Sequence, residues 1–396
     1  MFLPKELATV LPGTFDGIVD EMNVRGKMRT GRKIRYAVVG LGYISQSAVL
    51  PAFVNAQSNS TVTALVSGDP TKLRALSRKY AVKRTYSYEQ YADCIASGEI
   101  DAVYIALPNH LHRAYAEAAA REGLHVLCEK PMALDETDCE AMIAEAKKSN
   151  VKLMIGYRLH FERGNLQAVE WVNSGKIGEP KIFSSVFSQQ VKAGNSRLRE
   201  DVGGGPVYDL GVYCINAARY LFKAEPEEVM AWSSGHDSQR FKEVPASSTA
   251  MLRFPGDRIA TFTCSFGAAD RSAFEVLGSK GAVKMDPAYE MAATLKAELI
   301  AGDRTTRRTF KKRDQFAPEL LYFSDCILNN REPEPSGREG LADVRIIQAI
   351  LQSADTNRPV AVKKTDIVAR PSLSQEIAKP ALTQPRRLVR AEPPAA

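Results

Sequence analysis

Three groups of residues in this chain of 396 residues combine side-chain types and spacings that could do chemistry. Gly40-Leu41-Gly42-Tyr43-Ile44-Ser45 follows a β-branched run and opens a helical stretch. Two glycines there allow a tight turn and let backbone approach a pyrophosphate at the positive end of the helix, although Ser45 replaces the third glycine of the usual dinucleotide fingerprint. Glu129-Lys130-Pro131 ends another apolar run. A lysine at the carboxyl end of a parallel strand can hydrogen-bond a substrate hydroxyl, and beside a cationic nicotinamide its pKa should fall. Gly203-Gly204-Gly205 precedes Asp209 and Tyr213, which at helical spacing share one face. A tyrosine ionises near ~10, so as a proton acceptor at neutral pH it needs a cation such as Lys130 beside it.

Ser67-Gly68-Asp69 stands where the second strand should end. An acid at that end would accept from a ribose 2′-hydroxyl and select NAD. Ser67 holds that position instead, and Lys72 lies one turn into the next helix, so NADP is the expected cofactor. Asp69 argues for NAD if it folds onto the ribose; otherwise it caps the helix after Pro70.

The elements that must position these groups follow from periodicity. From Ile34 to Tyr157, β-branched runs (34–39, 61–66, 102–106, 125–128 and 153–155) alternate with amphipathic stretches (71–80, 88–97, 112–122 and 135–148). That rhythm implies a parallel sheet covered on both faces, with Asp135 as a helix N-cap. After Gly156 it changes to helices at 167–174 and 208–222 and to alternating strands at 181–191, 229–235, 247–254, 259–266, 272–277 and 282–285, with late helices at 318–329 and 342–354 completing the second domain. The expected fold class is therefore α/β: a dinucleotide-binding Rossmann domain over 32–155 and a second α/β domain over 156–365 with a large, mostly antiparallel open sheet. An N-terminal arm over 1–31 and a Pro-containing tail over 366–396, extended or disordered, are expected to reach a neighbouring subunit.

Composition excludes other classes. Hydrophobic residues at 44% and charged residues at 25% are ordinary for a globular protein. The balance of 53 basic against 46 acidic residues leaves a small excess, concentrated at Arg25 to Lys33 and Arg304 to Arg313, with no nucleic-acid-binding spacing. No run is apolar and long enough for a membrane span, and no secretory signal is evident. Six cysteines without a C-x-x-C pair signal neither a metal site nor a disulfide framework, which suits a cytoplasmic protein.

Together, Gly40-x-Gly42, Glu129-Lys130-Pro131, Gly156-Tyr157-Arg158-x-His160 and Gly204-Gly205 through Asp209 and Tyr213 resemble the glucose-fructose oxidoreductase, inositol dehydrogenase and rhizopine-catabolism (MocA) family over about Ile34 to Lys364. The glucose-fructose oxidoreductase branch is the nearest in pattern. The resemblance implies a sugar oxidoreductase that takes a hydride from C1 of an aldose onto NADP, giving a lactone, in a homodimer or homotetramer. It implies Tyr213 as general acid/base with Lys130 and Asp209, and Arg158 beside the substrate. It further implies a cofactor surface of Gly40, Gly42, Tyr43, Ile44, Ser67, Gly68, Lys72, Tyr88, Leu107, Asn109, His112, Glu129, Lys130, Arg158 and Arg197. His112 alternatively caps its helix, and His125 and His160 have weaker claims. Ser196 stands where that branch has tryptophan, so the loop over the nicotinamide is expected to be looser. A dehydrogenase that exchanges its cofactor each cycle and a non-catalytic NADP-binding sugar sensor are the alternatives.

Overall fold

In the computed structural model the described residues are 31–235, 239–367, 369–383, 385 and 387–394. The expected N-terminal arm, through residue 30, and most of the basic run from Arg25 lie outside them.

Strands β1 (Ile34–Val39), β2 (Ser60–Val66), β3 (Arg84–Tyr86), β4 (Ala102–Ile105), β5 (His125–Glu129) and β6 (Leu153–Gly156) form one sheet. Their order is β3-β2-β1-β4-β5-β6 and every pairing is parallel. Reversal of winding between β1 and β4 opens a crevice at the carboxyl ends of the strands, where ligands bind in doubly wound folds. Burial on both faces explains the near-continuous apolar runs; all four residues of β4 are buried. Asp135 caps its helix as expected, accepting from the Asp138 N–H at 2.8 Å. The short edge strand β3 is mostly exposed and has no apolar pattern to announce it.

The second sheet has nine strands: β7 (Pro180–Ser188), β8 (Glu228–Ser234), β9 (Ser247–Phe254), β10 (Arg258–Ser265), β11 (Arg271–Gly278), β12 (Gly281–Met285), β13 (Leu295–Ala301), β14 (Arg304–Phe310) and β15 (Val360–Ala361). The order is β14-β13-β12-β11-β7-β10-β9-β8-β15, antiparallel except for the parallel β7–β10 pair. Alternation is clearest in β9, where every second residue is buried beneath helices. The other face leaves Ile182, Val186, Trp232, Met251, Ile259 and Leu277 exposed.

Two expectations need correction. The late helix Ala317–Leu328 does not complete the second domain; it packs on β1 and β2. Tyr36 and Ser60 reach from those strands to the Ser324 hydroxyl, each at 2.8 Å, because a hydroxyl on a buried strand needs a partner. Over its described residues the tail is no loose extension but folds back along its own chain, with the Pro380 carbonyl accepting from Asn55 at 2.9 Å and Ile377, Leu382 and Val389 packed on the core under the parallel sheet. All six cysteines are buried and unpaired, and no helix among the described residues is long and apolar enough to cross a membrane.

Candidate active site

The dinucleotide end is built by β1 and β2. Gly40 has φ +92°, and a Cβ there would lie 2.5 Å from the Ala106 carbonyl oxygen, so only glycine fits. A Cβ on Gly42 would meet open space, the side from which a pyrophosphate would approach. Ser45 replaces the third glycine by donating its buried hydroxyl to the Gly40 carbonyl at 2.5 Å, and it begins a π-helical turn, Ser45–Val49. At the end of β2, Asp69 is the helix cap: its carboxylate accepts from the N–H groups of Thr71 at 2.8 Å and Lys72 at 3.2 Å. Its Oδ1 is thus committed to the helix, while Oδ2 lies 3.5 Å from an Arg390 nitrogen. The Tyr88 ring covers Gly68, where a Cβ would sit 3.0 Å from it. Ser67 is nearly buried and accepts from the Asp69 N–H at 3.2 Å.

The second group converges from both halves of the molecule. Lys130 follows β5, with its peptide to Pro131 in the cis form. Its Nζ donates to the Asp209 carbonyl oxygen at 2.9 Å, lies 3.3 Å from Asp209 Oδ1, and sits 4.6 Å from the centroid of the Tyr213 ring. Arg197 Nε meets the other Asp209 oxygen at 2.7 Å. The Arg158 guanidinium stacks 5.1 Å from the same tyrosine ring. Asp209 lies in a π-helical turn, Val207–Gly211, and Tyr213 in the α-helix Val212–Phe222, so the two meet at Lys130 across a change of helix type and not through one regular face.

Electrostatics within the protein sets the charge of these groups. Burial alone would lower the Lys130 ammonium, but Tyr213, Asp209 and Glu129 outweigh it and hold its pKa above the ordinary lysine value. The protein's own groups therefore favour the charged form of Lys130. Burial would likewise raise Asp209, yet Arg197 and Lys130 bring it down to about 2. Burial raises the Glu129 carboxyl against the opposing Lys130, and its Oε1 accepts from the Tyr104 hydroxyl at 2.8 Å.

Other expected contacts are reassigned. His112 is buried, with Nδ1 3.0 Å from the Pro131 carbonyl oxygen and Nε2 2.9 Å from that of Leu107. It clamps two loops together, and capping does not describe it. Arg158 is also buried, its terminal amines engaged by Gln315 and by the Tyr289 carbonyl at 2.5 Å, and it stands against Tyr213 in the wall of the cleft. The Ser196–Leu198 loop is held by backbone hydrogen bonds. Gly204 and Gly205 donate to the Arg199 and Arg197 carbonyls, each at 2.9 Å, and a Cβ on Gly204 would lie 2.4 Å from both oxygens. Asn109 ties this turn down through the Gly203 carbonyl at 2.8 Å. His160 lies deep in the second half between Glu334 and Asn216, and His125 accepts from the Lys152 N–H at 3.0 Å.

Lys130, Asp209 and Tyr213 open on a cleft of ≈ 400 Å³ that runs on past Tyr43, Ile44, Leu107 and Asn109. Its far wall contains Phe187, Gln189, Tyr289 and Glu290, none of which sequence reasoning singled out. Burial raises the Glu290 carboxyl, with Arg158 opposing. Tyr289 and Glu290 sit in irregular chain between β12 and β13, where no periodicity marks a residue.

Residues 34–157 match a family described as "Oxidoreductase family, NAD-binding Rossmann fold" (GFO_IDH_MocA), and residues 165–284 match the GFO/IDH/MocA C-terminal domain. The chain belongs to the GFO/IDH/MocA family. Among GFO/IDH/MocA relatives, a D-xylose 1-dehydrogenase [NADP(+)] of Haloarcula marismortui is 31% identical over 352 residues, covering 87% of this chain and 97% of its own. The crystal structure of an aldose-aldose oxidoreductase from Caulobacter crescentus, complexed with glycerol, is similar at TM-score 0.80 and 37% identity, covering 84% of this chain and 100% of that one. A 3-ketoreductase from Actinomadura kijaniata in complex with NADP and TDP-benzene is similar at TM-score 0.74 and 26% identity, covering 81% and 98%. The open approach at Gly42 and the cleft from Tyr43 to Tyr213 fit the dinucleotide that a GFO/IDH/MocA Rossmann domain binds.

Proposed function

We propose that this protein oxidises an aldose at C1 to a lactone using tightly held NADP, with a second sugar able to return the enzyme to its starting state by being reduced in the same cleft. The observation that carries this reading is the convergence of Lys130 and Asp209 on Tyr213 beside the fingerprint turn. Tyr213 takes the proton from the anomeric hydroxyl as the C1–O1 bond becomes a carbonyl. Lys130, kept cationic by its neighbours, hydrogen-bonds the sugar oxygen and stabilises the negative charge on the phenol oxygen that the incoming proton neutralises. Asp209 fixes Lys130 and Arg197 in place, Glu290 offers an acceptor to sugar hydroxyls, and Glu129 lines the ribose side. NADP, when bound, supplies the hydride acceptor. Ser67 in the place of an acid, the commitment of Asp69 to capping, and the NADP named for two relatives support that choice.

Replacing Tyr213 with Phe should lower turnover on the best sugar of an aldose panel by about 10²- to 10⁴-fold while NADP still binds. Unchanged turnover would remove Tyr213 from its role. We further assign the exposed apolar face of the nine-stranded sheet to a second copy of the chain. Trp232→Glu should then reduce the particle mass seen by light scattering.

A further inference from the structure

The C-terminal segment crosses the cofactor cleft. After Glu376 pairs with Arg313 at 3.0 Å and with Arg163 at 2.5 Å, the chain returns to the parallel sheet. Val389 is held there by both ends of one side chain: Gln46 donates to its carbonyl at 2.9 Å and accepts from its N–H at 2.8 Å. Gln46 is itself buried and also donates to the Leu41 carbonyl at 2.9 Å, so the tail is fastened to the fingerprint turn itself. The next residue, Arg390, has its guanidinium 3.4 Å from the Asp69 carboxylate at the end of β2. Pro393 and Pro394 then wall the same cleft as Lys130 and Tyr213, and the buried Pro394 accepts from the Lys192 N–H at 3.1 Å, just beyond β7.

These contacts tie the first βα turn of one sheet to the end of a strand in the other. The five steps from Val389 to Pro394 reach at most about 18 Å. A strap so short leaves little slack for a dinucleotide to pass. Arg390 also resolves the opposition between Asp69 and NADP. A carboxylate at the end of β2 repels a 2′-phosphate, whereas one paired with a guanidinium does not. Arg390 is 65% exposed, so most of its five N–H donors remain available beside Ser67 and Gly68.

Resting on the reading of this cleft as an NADP site, we propose that residues 387–394 form its outer wall, with Arg390 supplying the cation for the 2′-phosphate and the strap holding the dinucleotide in. Nothing in the fingerprint or the catalytic set requires this segment.

Two variants of the full-length protein test it. Removing residues 387–396 should accelerate NADPH release, followed by stopped-flow fluorescence, by tenfold or more. Arg390→Ala, an exposed substitution that leaves the strap in place, should weaken NADP binding in titration calorimetry about tenfold while changing NAD binding little, lowering the ratio of the two affinities. Unchanged release from the truncated chain overturns the strap, and an unchanged ratio in Arg390→Ala overturns the phosphate contact. If the intact chain binds neither dinucleotide, the functional reading beneath fails as well, which is distinct from tight NADP binding that the variants do not alter.

Discussion

Two ionic clusters in this protein use the same kinds of groups to opposite ends. At the cleft, Lys130 and Arg197 share the single carboxylate of Asp209, which remains 22% exposed. In the interior, Arg219 is fully buried and meets Glu225 at 2.6 Å, Glu339 at 2.9 Å and Asp343 at 2.5 Å, with Asn216 bridging the last two carboxylates. Cations are in excess in the first and carboxylates in the second. Burial raises Asp343 to about 6, with Arg219 opposing and Glu339 adding, whereas Asp209 ends near 2. The difference teaches that a charge network becomes a brace when its groups face one another away from water, and a tool when one side stays open to a ligand.

The largest expected effect lies in the brace. Arg219→Leu leaves Asp343 without the guanidinium it meets and Glu225 and Glu339 with Arg370 as their remaining cation, and should cost about 3–5 kcal/mol in urea unfolding, with turnover per folded molecule retained. Loss of turnover at unchanged stability would erase the distinction. Asp209→Asn is the converse: kcat/KM should fall about 10²-fold, with a stability loss of about 2 kcal/mol at neutral pH. Because Asp209 helps to raise Lys130, the alkaline limb of the pH–rate profile should also move to lower pH in this variant.

Acid titration sharpens the contrast further. The folded pKa of Asp209 is depressed, so its contribution is full above about pH 4 and disappears as the pH falls through 2. Asp343 is shifted the other way, so its charge costs stability as the pH rises from about 4 to about 6. Asp343→Asn should flatten the urea midpoint over that upper window, and a variant curve parallel to the wild-type one would contradict the assignment. The smallest effect belongs to neither cluster: Asp69→Ala, which removes a helix cap, should cost about 1 kcal/mol.

The cleft was legible in the sequence because its parts are short and local. A glycine turn after a strand, a lysine before a proline, and an acid four residues before a phenol each mark themselves. The interior brace was not, since Arg219 lies on one helix and Glu339 and Asp343 on another more than a hundred residues later, and no spacing rule joins the two. The basic run at Arg304 to Arg313 contains β14, an edge strand whose residues are almost all exposed and so lack alternation. His112 was ambiguous because its place at a helix start is compatible with several roles, and the two carbonyls it meets carry no signal in the sequence. Residues 387–394 were set aside on composition, yet their positions depend on single contacts to Gln46, Asp69 and Lys192 that no pattern encodes.

The helix Ala317–Leu328 seals one face of the parallel sheet through Leu320, Phe323 and the hydroxyls around Ser324. During synthesis the strands that hold the fingerprint therefore leave the ribosome more than two hundred residues before the helix that covers them, and Tyr36 and Ser60 have to wait for it. A fragment cut at the end of β6 would expose that face to water and to other chains, so the nucleotide-binding half should be poorly soluble on its own and regain solubility when residues 317–328 are supplied.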